Sequence, residues 1–167
     1  MNNNLPPQTI QQYFKALTVL HYALTTGITL VIMIAYFLAG ATASRNNEML
    51  AAIFQYMVPA LAFICIAAGN VLYKKRVNNI KTKNSLAEKL NDYRAAFILR
   101  DALLEGAALF AIIAYMLCDK LILLGVAILL VLIFVFIKPT KDKLIKDLEL
   151  SSDETVIIED DNAVIGE

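Results

Sequence analysis

The sequence is poor in the residues that carry covalent and metal chemistry. It has one histidine, His21, and two cysteines, Cys65 and Cys118, both within or at the edge of apolar runs. There is no CxxC and no CxxCH, which argues against a disulfide framework and against a metal site of the usual kind. HExxH, a nucleophile elbow, a P-loop and a histidine cluster are also missing, so neither an enzyme nor a bound cofactor is expected. No nucleic-acid motif appears. A cleaved signal peptide is not expected either. Met1 to Gln12 is polar and holds Pro6 and Pro7, and the first apolar run starts near Ala16, is too long for an h-region and lacks a small-residue cleavage site. Neither a lipobox-like cysteine nor a C-terminal prenylation motif is present.

What the chain does have is apolar surface. Of its 167 residues 59% are hydrophobic and 18% charged, against about 45–50% apolar in ordinary soluble domains. The excess lies in four blocks, at about 16–40, 49–73, 95–118 and 121–137. A helix needs about 20 residues to cross a hydrocarbon core of roughly 30 Å. The fourth block is short, but Lys120 and Lys138 flank it and can snorkel. The pattern predicts an all-α integral membrane protein with four transmembrane helices.

Charge sets the orientation. The net charge is zero, yet twelve of the fifteen basic residues fall before the first block, between the second and third, or after the fourth, and Arg100 lies just inside the third at the same end. Only Arg45 and Lys120 fall on the other side. The positive-inside rule then puts both termini in the cytoplasm of a cell whose inner membrane holds the chain. The expected division is a cytoplasmic segment over 1–15, a first transmembrane hairpin over 16–73 and a basic connection over 74–94. A second hairpin follows over 95–138, then an acidic, disordered cytoplasmic tail over 139–167. The basic connection is expected to meet anionic lipid headgroups or a partner protein. Within the tail, Val156-Ile157-Ile158 is a run that can add to a partner's sheet edge.

Local signals refine the elements. Ser85-Leu86-Ala87-Glu88 has the form of a capping box, and no proline or glycine follows until Gly106. The third helix is therefore expected to run from Leu86 to Cys118, about 50 Å at 1.5 Å per residue. It extends well below the bilayer, as does a first helix starting near Pro7. Pro59 is expected to bend the second span, and Pro139 to end or kink the fourth.

An internal repeat is the most informative feature. At an offset of 79 residues, Tyr13–Leu38 and Asp92–Leu117 share ten identities in 26 ungapped pairs. Residues 16, 20, 23, 27, 30, 34 and 38 form one helical stripe that both copies share. Small residues on it, Ala23 and Gly27 in one copy and Ala102 and Gly106 in the other, suit close helix packing. The reading is two tandem, parallel-duplicated helical hairpins, with helix-helix packing on that stripe.

Four polar residues make a candidate intramembrane site. Glu105 lies about ten residues into the third block, where a carboxylate is costly unless protonated or paired. Asp101 precedes it by one turn. Through the repeat, Thr26 corresponds to Glu105 and His21 to Arg100, so the hairpins are expected to bring His21 and Thr26 to the same depth. The site is either a proton or cation site or a set of hydrogen bonds that pins helices. Arg100 is expected to snorkel to the inner headgroups, and Glu105 to face protein.

Residues 102–114, Ala-Leu-Leu-Glu-Gly-Ala-Ala-Leu-Phe-Ala-Ile-Ile-Ala, resemble the carboxylate-bearing helix of the rotary ATPase membrane-ring proteolipid, subunit c or K. The duplicated four-span plan is similar to the doubled form of that subunit. The resemblance implies Glu105 as an ion-carrying carboxylate in an ion-coupled oligomer. The chain departs from that family in three ways. Glu105 stands on the first helix of its hairpin, the Gly/Ala-rich partner helix is absent, and a basic connection and an acidic tail are added. The leading expectation is an assembly, scaffold or interaction protein with the bilayer and a second copy or another membrane protein as partners.

Overall fold

The computed structural model describes residues 8–39 and 48–165. The elements are β1 (Gln8–Thr9), α1 (Ile10–Ala39), α2 (Glu48–Lys81), α3 (Leu86–Cys118), α4 (Leu121–Phe136), α5 (Lys141–Leu148), α6 (Ser152–Glu159) and β2 (Val164–Ile165). The described residues are helical but for two short strands and the turns that join the elements. α1, α2 and α3 are each long and apolar enough to cross a membrane. α4 has 16 residues, about 24 Å at 1.5 Å per residue, and is followed after a short break by α5 at an angle of 82°.

α3 is the central helix. It packs against α1, α2 and α4, and α4 in turn touches α1 and α2. α3 and α4 make a close hairpin across the turn Asp119-Lys120, where Asp119 takes a left-handed φ of 50° and its N–H caps Tyr115. α1 and α2 lean on α3 and α4 rather than mainly on each other. Among the described residues the first pair, joined in sequence, is thus held mainly through its contacts with α3 and α4.

Two hydrophobic clusters divide the interior. The first lies between the apolar parts of α1 to α4. Ala107, Ala108, Ala111 and Ala114 of α3 allow close approach of Leu123, Ala127, Leu130 and Phe134 of α4, with Ile28, Val58 and Ala62 beside them. The second lies at the end of the molecule where α1 begins and α2 ends. There Ile10, Tyr13, Phe14, Val77, Ile80, Leu90 and Tyr93 surround Leu144, Leu148 and Ile158 of α5 and α6. We call this part the base.

The tail expected to be disordered over 139–167 forms most of one side of the base. Leu144 and Leu148, one turn apart, and Ile158 are fully buried, and that burial holds the segment down. Val156-Ile157-Ile158, read as an edge strand, is helical in α6. The strand lies further on. Val164 and Ile165 pair antiparallel with Thr9 and Gln8, and the backbone N–H groups of Ile10 and Gln11 extend the contact to Ala163 and Asp161. Both ends of the described chain therefore meet.

The 74–94 connection is mostly helix. α2 continues to Lys81 and α3 starts at Leu86, which leaves a four-residue turn. The Ser85 capping box is not made: Ser85 is the N-cap, but its side chain accepts no bond. Glu88 lies 3.9 Å from Lys83 instead. The same S-x-x-E pattern at Ser151 and Glu154 does form a complete capping box on α6. α2 passes through Pro59 as one helix, and α4 stops just before Pro139, as expected. The expected helix start at Pro7, the limit at Gly40, and Arg45 lie outside the described residues.

Candidate functional site: a buried histidine–aspartate pair and a basic cavity

Of the four residues singled out in the sequence, the structure joins two. His21 Nδ1 lies 2.9 Å from Asp101 Oδ2, with the residues 1% and 2% exposed. An ionised carboxylate only accepts, so Nδ1–H is then the donor. The His21 ring stacks on Phe134 of α4 at 5.2 Å and meets Phe97 edge-on at 5.8 Å. This cluster ties α1, α3 and α4 together. The local reason is spacing. Leu17, His21, Ile28 and Ala35 are the buried residues of this stretch of α1, four or seven apart, so His21 falls on the seam toward α3. Thr25 Oγ1 donates back to the His21 carbonyl at 2.8 Å, which satisfies the hydroxyl within its own helix.

Thr26 and Glu105 do not join the pair. Thr26 is exposed. Glu105, expected to face protein, is half-buried and has no hydrogen-bond or ion-pair partner among the described residues. The small-residue stripe is also placed differently. Ala23, Gly27, Ala102 and Gly106 all face outward, and a Cβ built on either glycine meets nothing within 4 Å. Their neighbours, Leu17 and Ile28 on α1 and Ala107 and Ala108 on α3, make the internal contacts instead.

Arg100 departs furthest from expectation. A snorkelling arginine would be exposed, whereas Arg100 is 4% exposed. Its guanidinium lies 4.2 Å from the centre of the Tyr73 ring and 5.1 Å from that of Phe97. Gly69 makes room for its stem, since a Cβ there would sit 3.4 Å from Arg100 Cγ. Among the described residues no acid is within ion-pair distance, and Nε and Nη2 are buried without a hydrogen-bond partner. Arg100 forms part of the wall of a cavity of about 420 Å³ between α2, α3 and α5. Sequence reasoning did not find this cavity. Lys143 and Lys146 arrive on α5, more than forty residues after Arg100, and only the turn after Pro139 brings them back. The one available signal was the repeat, which pairs Arg100 with the buried His21.

The base also pairs the basic connection with the acidic tail. Lys89 donates to Glu154 at 2.7 Å in a largely buried contact and Lys81 to Glu149 at 2.8 Å, while within the tail itself Lys141 donates to Asp161 at 2.6 Å. Burial pushes the Glu154 carboxyl up, but the bonds from Lys89 and Ser151 prevail and hold it below the ordinary range. At the cavity, burial first and the Arg100 charge second lower the Lys143 ammonium.

No group of His, Cys, Asp and Glu fit to hold a metal ion occurs among the described residues. No protein family, curated protein or solved structure matches the chain.

Proposed function

We propose that this chain is a small multi-pass protein of the cell's inner membrane, crossing it four times with both ends in the cytoplasm, and that it serves assembly or scaffolding. The observation that carries the topology is the pairing of β1 with β2. The ends meet on one side, so the number of crossings is even. Three helices qualify by length and apolarity, and α4 is then the fourth crossing. Its short span is flanked by Lys120 and Lys138, whose stems reach to the headgroups. The basic bias makes the shared side cytoplasmic.

Two tandem copies of one hairpin agree with the pattern of burial. Ile10, Phe14, Leu17, His21, Ile28 and Ala35 are buried on α1, and their counterparts Lys89, Tyr93, Ala96, Arg100, Ala107 and Ala114 are buried on α3. The shared small-residue stripe faces outward on both helices, where a second copy or another membrane protein can approach closely. The polar residues His21 and Asp101 are engaged with each other, which suits a structural lock better than a carrier.

A second reading has one observation in its favour. Glu105 is partnerless in an apolar helix, as the resemblance to the proteolipid helix requires of an ion-carrying carboxylate. Reconstitution in liposomes with a pH-sensitive dye separates the two. The scaffold reading expects no proton or sodium flux above that of empty liposomes, and a normally folded Glu105→Gln variant. Carbodiimide-sensitive flux that disappears in Glu105→Gln would replace it with the ion-coupled reading.

A further inference from the structure

Arg100 is a buried cation that the described chain leaves uncompensated. Buried charges are normally paired, and the acids nearby are otherwise engaged. Asp101 bonds to His21. Asp147, the single acid in the cavity wall, accepts the Tyr73 hydroxyl at 2.6 Å. Lys81 is held by Glu149. That leaves Lys74, Lys143 and Lys146 around the same space as Arg100. The volume, about 420 Å³, falls within the usual range of ligand sites, about 300–1,000 Å³. The two unpartnered guanidinium nitrogens, Nε and Nη2, lie on a planar fork whose N–H groups match two oxygens of a tetrahedral anion, and stacking on Tyr73 fixes the plane of that fork.

We propose that the cavity between α2, α3 and α5 binds a phosphate-bearing anion, with Arg100 at its floor and Lys74, Lys143 and Lys146 around it. An anion in the cavity would act against the burial and the Arg100 charge that lower the Lys143 ammonium. The phosphate belongs either to an acidic phospholipid headgroup or to a free phosphate compound. The lipid source rests on the membrane topology proposed above, whereas the free source does not.

The test uses the full chain in two arms. In the first, the detergent-purified protein is titrated with inorganic phosphate at constant ionic strength, with chloride as control, and thermal unfolding is followed. In the second, the protein is placed in nanodiscs of phosphatidylglycerol and phosphatidylcholine, and native mass spectrometry reads the lipid it retains after release. Both arms are run on wild type, Arg100→Gln and Lys143→Gln. Arg100→Gln is expected to weaken binding by about tenfold or more, the scale of a hydrogen bond to a charged group. Lys143→Gln, which leaves the buried stack on Tyr73 intact, weakens it less and carries the test if Arg100→Gln does not fold. Stabilisation by phosphate assigns a free anion. Selective retention of phosphatidylglycerol, without a phosphate effect, assigns the headgroup. Absence of binding in both arms, or binding that Lys143→Gln and a folded Arg100→Gln leave unchanged, overturns the proposal. The detergent arm does not depend on topology, so a failure of the membrane reading leaves it interpretable.

Discussion

The apolar half of the molecule and its base are held together by different means. In the apolar half, α3 presents alanines to α4, and the outer faces carry Phe37, Phe63, Ile64, Leu129 and Phe136 in the open. Inside and outside are equally apolar, so under the membrane reading close packing and a few polar links must hold the helices. His21–Asp101 is the link that the structure shows. In the base, Ile10, Leu90, Leu144, Leu148 and Ile158 are hidden, with the Lys89–Glu154 pair beside them largely buried and the Lys81–Glu149 and Lys141–Asp161 pairs further out. Water drives that burial. The comparison teaches that a single polar contact matters most where the hydrophobic effect is weakest.

The largest effect is therefore expected at the polar link. His21→Ala leaves Asp101, whose Oδ1 already lacks a partner, with no bond at either oxygen. The cost should be about 3–5 kcal/mol, as for one broken partner of a buried pair. His21→Leu combined with Asp101→Leu should recover most of it. Unfolding in detergent checks both. A cost below about 1 kcal/mol for His21→Ala, the worth of a surface pair, would mean the link does not bear on the packing.

In the base, Ile158→Ala removes a fully buried side chain and should cost about 2–4 kcal/mol. The loss should be local. Limited proteolysis should cut after Leu150 while α1 to α4 stay protected, whereas cooperative loss of the whole fold would show that the two regions are one unit.

Smaller again is the Lys89–Glu154 bond, worth about 1.5–3 kcal/mol as a hydrogen bond between charged groups. The Glu154 carboxyl is depressed in the folded state. Its contribution is thus fully present above the ordinary glutamate value of 4.5 and is lost as the pH falls through the lower folded value. Acid should release α6 before it disturbs the apolar half, and Glu154→Gln should remove that pH dependence. Proteolysis of the tail against pH reads this directly. An α6 that stays protected in acid would assign its docking to apolar contacts alone.

The smallest effect is expected on the outward stripe. Gly27→Ala and Gly106→Ala enter open space and should stabilise the isolated chain by about 0.8–1 kcal/mol through helix propensity. If either variant weakens an assembly in lipid, a second chain packs on that stripe.

Much of this plan can be read from the residues, and the failures share a cause. α3 is continuous from Leu86 to Cys118 because nothing in the sequence breaks it, and α4 stops before Pro139 for a local reason. His21 and Asp101 were legible because polar groups in apolar helices need partners and the repeat put them at one depth. The acidic tail was misread because its partners are remote. Lys89 is 65 residues from Glu154, and composition alone favours solvation. Ser85 and Ser151 head the same four-residue pattern, yet only Ser151 caps its helix. The stripe was visible but its direction was not, because a helical period gives a face and not the neighbour it meets.

The central claim, four crossings with both ends on one side, is most directly tested by site-specific labelling. Single cysteines are placed at Thr9 and at Asn162 in a chain lacking Cys65 and Cys118, with a third at Lys120. Intact cells and inside-out vesicles are then treated with a membrane-impermeant maleimide. The account predicts that Thr9 and Asn162 react only in inside-out vesicles and that Lys120 reacts only in intact cells. Reaction of Thr9 and Asn162 from opposite sides would mean an odd number of crossings and would contradict it.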